Sequence, residues 1–117
     1  MTPLQQLQDQ IARLFNSTIQ PTMIEDIGIE LQLLNIPADQ VFSPAQVDRI
    51  WSNMPYWAFV WSSGRALASY VLANPHLVKG KVIADFGAGS GVVALAALKA
   101  GAKQAWVIDI DGAALMA

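Results

Sequence analysis

The stretch VIADFGAGSGVVALAALKAGAKQAWVIDID, residues 82–111, decides the fold. Val82, Ile83 and Ala84 predict a short buried strand. Asp85-Phe86-Gly87-Ala88-Gly89-Ser90-Gly91 is a glycine-rich loop. Val92 to Ala100 reads as an alanine-rich helix, with Gly101 as the residue that ends it. Ala105 to Ile108 is a second strand, followed by Asp109-Ile110-Asp111 and a new helix opening at Gly112. Strand, glycine loop, helix, strand is an α/β pattern.

A strand that feeds a glycine turn into a helix N-terminus is a nucleotide-binding device. Its glycines admit the ligand close to the backbone, and the helix end is expected to offer free N–H groups. The spacing here is G-x-G-x-G, at Gly87, Gly89 and Gly91. A dinucleotide fingerprint needs its third glycine one place later, where this chain has Val92. Asp85 stands two places before the first glycine. A carboxylate there repels a pyrophosphate and attracts the ammonium group of a methionine moiety. The charge therefore favours S-adenosylmethionine over NAD. An acid about 20 residues further on, at the end of the second strand, accepts hydrogen bonds from ribose hydroxyls. Asp109 fits that place. Asp111 is a rival, with N-cap of the next helix as its plainer role. The bland alternative for the whole loop is a tight turn without a ligand.

Working outward, Pro55 opens an aromatic run, PYWAFVW, at 55–61. Trp57, Phe59 and Trp61 alternate, so they read as the core face of an extended segment. Ser62, Ser63 and Gly64 interrupt the run. A helix follows with Leu67, Val71 and Leu72 on its apolar side, and ends near Asn74 and Pro75. Residues 76–81 are a turn, and His76 in it reads as an exposed loop residue. Nearer the N-terminus, Leu4, Leu7, Ile11, Leu14 and Phe15 recur at helical spacing, with Asn16, Ser17, Thr18 and Pro21 marking the end. Ile27, Ile29, Leu31 and Leu33 alternate with polar residues and predict a half-buried strand over 26–33. Ser43 predicts the cap of a short helix with Pro44 at its first position, running to about Trp51.

Composition narrows the class. The chain has 117 residues, 54% hydrophobic and 14% charged, which suits one small domain with a buried α/β interior. Its net charge is −2 without a basic cluster, so no electrostatic footprint for nucleic acid or a membrane surface is expected. With no cysteine, disulfides, thiolate zinc sites and cysteine nucleophiles are excluded. No metal-ligand constellation is visible. The N-terminus does not read as a signal peptide, and a cytoplasmic protein is expected.

Residues 82–111 resemble the first two motifs of class I S-adenosylmethionine-dependent methyltransferases. The preceding PYWAFVWSSGRALASYVL, residues 55–72, narrows the resemblance. It looks like the group of electron-transfer-flavoprotein β-subunit lysine methyltransferases and ribosomal protein L11 methyltransferases. Bacterial members of this group are described as nicotinamide N-methyltransferase-like. The likeness covers about 54–113, and the first 50 residues match in layout only.

The resemblance implies a Rossmann-like fold with S-adenosylmethionine held by Asp85, Gly87, Gly89, Gly91 and Asp109. It adds Trp61 and Gly64 as contacts on the methionine side, with Trp57 a weaker candidate. The family tends to have two glycines and a glutamine where this chain has Ser63, Gly64 and Arg65. The implied activity is methyl transfer to a protein lysine, with the electron transfer flavoprotein β-subunit as a candidate acceptor. The alternatives are a small-molecule amine acceptor or a non-catalytic cofactor-binding fragment.

The expected organisation is a mixed helix/strand segment, 1–53, followed by the first part of a Rossmann-like domain, 54–117. Each strand–helix–strand unit takes roughly 30 residues, so a seven-stranded class I sheet needs roughly 200. The chain is therefore expected to be truncated after the second core strand, before the family's acceptor-binding and catalytic residues. An isolated chain of this kind is expected to be poorly stable or to self-associate.

Overall fold

A computed structural model describes residues 1–117. Helix α1 spans Pro3–Phe15 and begins with a reciprocal cap: the Thr2 hydroxyl accepts from the Gln5 N–H, and the Gln5 side chain accepts from the Thr2 N–H. Asn16 ends it in the left-handed conformation, at φ 52°. Strands β1, Thr18–Ile24, and β2, Ile29–Asn35, form an antiparallel hairpin. Helix α2, Pro44–Ser52, repeats the α1 start, with Ser43 and Gln46 as the cap pair. Helix α3 spans Ser62–Ala73. Strand β3, Val82–Phe86, helix α4, Val92–Lys99, and strand β4, Gln104–Ile108, make a parallel strand–helix–strand unit. Helix α5, Gly112–Met116, follows.

The architecture is mixed α/β, with two separate two-stranded sheets. One apolar cluster joins Leu7, Ile11 and Phe15 of α1 to Ile19, Ile50, Trp57 and the alanines of α5. A second joins the hairpin, through Ile27, Ile29 and Leu31, to Ala68 of α3 and to Val92 and Ala96 of α4. The N-terminal hairpin therefore packs on the same helices that flank the glycine loop. Two cations fasten its tip. Arg65 makes a bidentate ion pair with Asp26, and the Lys99 ammonium donates to the carbonyls of Ile27 and Gly28. No helix is long and apolar enough to cross a membrane.

Several expectations need correction. Thr18 and Pro21, read as markers of the first helix's end, lie within strand β1. Each strand of a two-stranded ribbon is an edge strand, where proline is tolerated. Asp26, Ile27 and Gly28 belong to the hairpin turn rather than to a strand. Its closing bonds run from the Ile27 and Gly28 amides to the Ile24 carbonyl. The buried alternation itself survives, since Ile27, Ile29 and Leu31 all face the core.

The aromatic run is not extended throughout. Tyr56–Ala58 is one 3₁₀ turn that buries Trp57 and Ala58, and the backbone is extended again at Phe59 and Trp61. Ser62, Ser63 and Gly64 form the first turn of α3 rather than a break before it. Leu67 is 49% exposed, because α3 turns Gly64, Ala68 and Val71 inward. These positions lie on one helical stripe, and their small size lets α4 come close. β3 is not a buried strand either. Its residues alternate between exposed and half-buried, and Phe86 at its end is 87% exposed.

Candidate functional site

The parallel unit ends its two strands side by side, with Asp85 opposite Val107 and Phe86 opposite Ile108. The chain then leaves β3 through the glycine loop. Gly87, Gly89 and Gly91 have φ of 70°, 54° and 80°. A residue with a Cβ pays about 1–2 kcal/mol for that left-handed backbone, and glycine does not. The alternation of positive-φ residues curls the loop over the end of the sheet.

The loop's own amides are largely spent. Gly87 and Ala88 both donate to the Ile108 carbonyl, at 2.7 and 3.0 Å, and Gly91 donates to Ala88. Gly89 donates to Asp109 Oδ2 at 2.8 Å. At the helix end, the Ala94 N–H donates to Asp85 Oδ2 at 3.0 Å. Gly91, as N-cap of α4, has no side chain to do this, so Asp85 caps the helix from the neighbouring strand.

Each acid thus has a structural task. Asp109 also accepts from the Asp111 N–H through Oδ1, at 2.9 Å. Asp111 turns its own Oδ1 to the Ala113 N–H and is the N-cap of α5. That is the plainer role expected of Asp111. Asp109 stands at the mouth of the loop, and its carboxylate faces the same space as Asp85.

The environments of the two carboxylates differ. Burial pushes Asp85 above the ordinary aspartate value of 3.8, against the pull of the Ala94 N–H, and the nearby charge of Asp109 adds to the rise. The Asp111 and Gly89 amides hold Asp109 below 3.8. Asp109 is therefore firmly ionised at neutral pH. Asp85 is the member of the pair that gains from a positive partner.

A concavity of about 330 Å³ lies between this loop and the start of α3. Asp85, Gly87, Gly89 and Asp109 form its floor and one wall, while Trp61, Ser63 and Gly64 stand opposite with Tyr56. Six of the seven residues singled out from sequence meet there. Gly91 does not line it and faces a second hollow of about 550 Å³ between β2, α4, β4 and α5. The larger hollow is walled by Leu95, Leu98, Val107 and Leu115 and contains a single charged side chain, Glu30. Its chemistry does not match the paired acids on the other side. Gly64 is positioned by close packing, since a Cβ on it would lie 3.3 Å from Val92 Cγ1.

Trp57 does not reach the concavity. It is 1% exposed in the core, and its indole N–H has no partner. Trp61 is 48% exposed, and its indole Nε1–H donates to the Tyr56 carbonyl at 3.1 Å. Tyr56 is the aromatic lining residue that sequence reasoning missed. Its place in the aromatic run was the available signal, but an extended reading of that run gave it no site. Of the two departures from the family pattern, Ser63 lines the concavity, while Arg65 turns away to Asp26 and does not.

Comparisons with known proteins bear on this region. Residues 66–117 match the family model described as Ribosomal protein L11 methyltransferase (PrmA). The electron transfer flavoprotein beta subunit lysine methyltransferase of Homo sapiens is 48% identical over 69 residues, which cover 58% of this chain and 26% of that protein. The Caenorhabditis elegans homolog is 45% identical over 62 residues, 53% of this chain and 25% of the relative. A ribosomal protein L11 methyltransferase of Actinobacillus pleuropneumoniae serotype 5b (strain L20) is 63% identical over 38 residues, 32% of this chain and 13% of the relative. The chain thus spans about a quarter of the length of the first of these relatives. No solved structure matches it. Both positive comparisons fall on the group read from the glycine loop and the aromatic run: this chain is similar to the class I S-adenosylmethionine-dependent methyltransferases of the flavoprotein β-subunit and ribosomal protein L11 kind.

Proposed function

We propose that the chain is a cofactor-binding portion of an S-adenosylmethionine-dependent protein-lysine N-methyltransferase. One observation carries this reading: Asp85 and Asp109 share a concavity beside which the Gly87, Ala88, Gly89 and Gly91 amides are engaged within the chain. A pyrophosphate needs free N–H donors and no carboxylate. A ligand with an ammonium tail and a sugar diol needs carboxylates. The residues present therefore fit S-adenosylmethionine better than a dinucleotide.

In this reading residues 54–117 are the first part of a Rossmann-like domain, and 1–53 are a helix and hairpin segment packed against it. Asp85 takes the ammonium group through Oδ1, since Oδ2 is engaged by Ala94. Asp109 accepts from the ribose hydroxyls with the lone pairs left on its two oxygens. Gly87 and Gly89 admit the ligand to the backbone, Gly91 shapes the exit into α4, and Trp61 and Gly64 wall the opposite side. When bound, the cofactor supplies an electrophilic methyl group on a sulfonium, and the protein supplies position and exclusion of water.

Protein lysine as the acceptor rests on the names of the relatives, and the electron transfer flavoprotein β-subunit is the first acceptor to try. The test has two stages. Calorimetric titration with S-adenosylhomocysteine reads the cofactor site, and absence of binding at millimolar ligand overturns the reading. Transfer of labelled methyl groups is then compared between protein acceptors and nicotinamide. Label on protein lysine supports the proposal, and label on the small amine alone replaces it with a small-molecule methyltransferase.

A further inference from the structure

The aromatic wall of the concavity has a property that the glycine loop does not explain. Trp57 is sealed in the core, yet Trp61, four residues on, stays half exposed beside the two acids. Its indole is fixed rather than loose. The Nε1–H is tied to the Tyr56 carbonyl, the Phe59 ring lies 5.5 Å away at 43°, and the Tyr56 ring lies 6.0 Å away at 48°. Tyr56 and Trp61 both border the space that Asp85 and Asp109 border. Two carboxylates on one side and two tilted aromatic rings on the other make an environment suited to a cation. The ring faces carry negative quadrupole density, and tryptophan is the strongest such partner.

We propose that Tyr56 and Trp61 form a charge-sensing wall, attracting the positively charged methyl donor through cation–π contact in a way that its neutral demethylated product does not feel. The inference rests on the cofactor reading above and extends it to specificity within that site. It differs from simple stacking on adenine, which is blind to the charge at sulfur. The wall favours the loaded donor over the spent one, which helps to clear product from the site after transfer.

The experiment compares the dissociation constants of S-adenosylmethionine and S-adenosylhomocysteine for the wild-type chain and for Trp61→Phe, Trp61→Leu and Tyr56→Leu. Circular dichroism checks that each variant keeps its fold. The expected result is a selective loss. Affinity for the sulfonium ligand falls roughly two- to tenfold in the leucine variants, and less in Trp61→Phe. Affinity for the thioether changes little. Equal weakening of both ligands overturns the proposal and assigns the rings to stacking. If Trp61→Leu does not fold, Trp61→Phe and Tyr56→Leu decide alone. If the wild-type chain binds neither ligand, the cofactor reading itself fails and this inference goes with it, an outcome distinct from binding without charge discrimination.

Discussion

The carboxylate of Asp109 accepts the Gly89 N–H at 2.8 Å and the Asp111 N–H at 2.9 Å, so one side chain at the end of β4 joins the glycine loop to the start of α5. In the proposed reading, shape and ligand chemistry meet at this residue. Asp109→Ala removes both acceptors, and each hydrogen bond to a charged group is worth about 1.5–3 kcal/mol at most when well shielded. Asp109 is half-buried, so solvent screening leaves a total of about 1–2 kcal/mol expected in denaturant unfolding. Affinity for S-adenosylhomocysteine should fall at least about tenfold, corresponding to about 1.4 kcal/mol. Unchanged ligand affinity would remove Asp109 from the site.

The two acids should titrate on opposite sides of 3.8. Carboxyl carbon NMR should find Asp85 above that value and Asp109 below it. The Asp109 pKa is depressed, so its contribution to stability is present above the unfolded value and is lost as pH falls through the lower folded value. The Asp85 pKa is raised, so its contribution runs the other way. It is full below the unfolded value and is lost as pH rises through the raised one. Ligand affinity should decline with acid as Asp85 protonates, before Asp109 does. Replacing Asp109 by Asn should move Asp85 part of the way down, because burial, the larger cause of its rise, remains.

Gly64 is a packing test. A Cβ would stand 3.3 Å from Val92 Cγ1. Ala gains about 1 kcal/mol of helix propensity over Gly, so Gly64→Ala should lie near neutral. Gly64→Val overfills the α3–α4 contact and should cost about 1–3 kcal/mol in thermal or denaturant unfolding. It should also narrow the concavity. A neutral Val variant would mean that α3 and α4 are not held at this distance.

The hairpin tip should respond to salt. Arg65 and Asp26 are each about half exposed, at 50% and 51% of their side chains. Their pair should contribute little to stability, measured by a double-mutant cycle, and lose most of that in concentrated salt. Gly28, at φ 63°, lies where a Cβ would meet the Lys99 ammonium at 2.5 Å. Gly28→Ala should therefore cost more than the ion pair, about 1–2 kcal/mol from the backbone alone.

The parts that were legible in sequence share a local cause. The caps at Ser43 and Asp111, the glycine loop and the helix ended by Gly101 are each written in a few neighbouring residues. Asp85 and Asp109 were legible because strand ends and charge carry meaning without tertiary context. Elsewhere distant packing decided. Pro21 sits in a strand because its ribbon has no further neighbour to pair with. Leu67 is exposed because Gly64 and Ala68 lie where α4 approaches. Trp57 is buried as its alternation suggested, but through a 3₁₀ turn, and Trp61 of the same set stays half exposed. The spending of the loop amides on Ile108 and Asp109 depends on the second strand lying beside the first, a relation between segments about 20 residues apart.

The most direct test of the central claim is amide and indole chemical-shift mapping by NMR as S-adenosylhomocysteine is added. The account predicts changes at Gly64, Ala88, Val93 and the Trp61 indole N–H, with Leu95, Leu98, Val107 and Leu115 unmoved. Changes confined to the latter four, or the same smaller concavity responding to a dinucleotide instead, would contradict it.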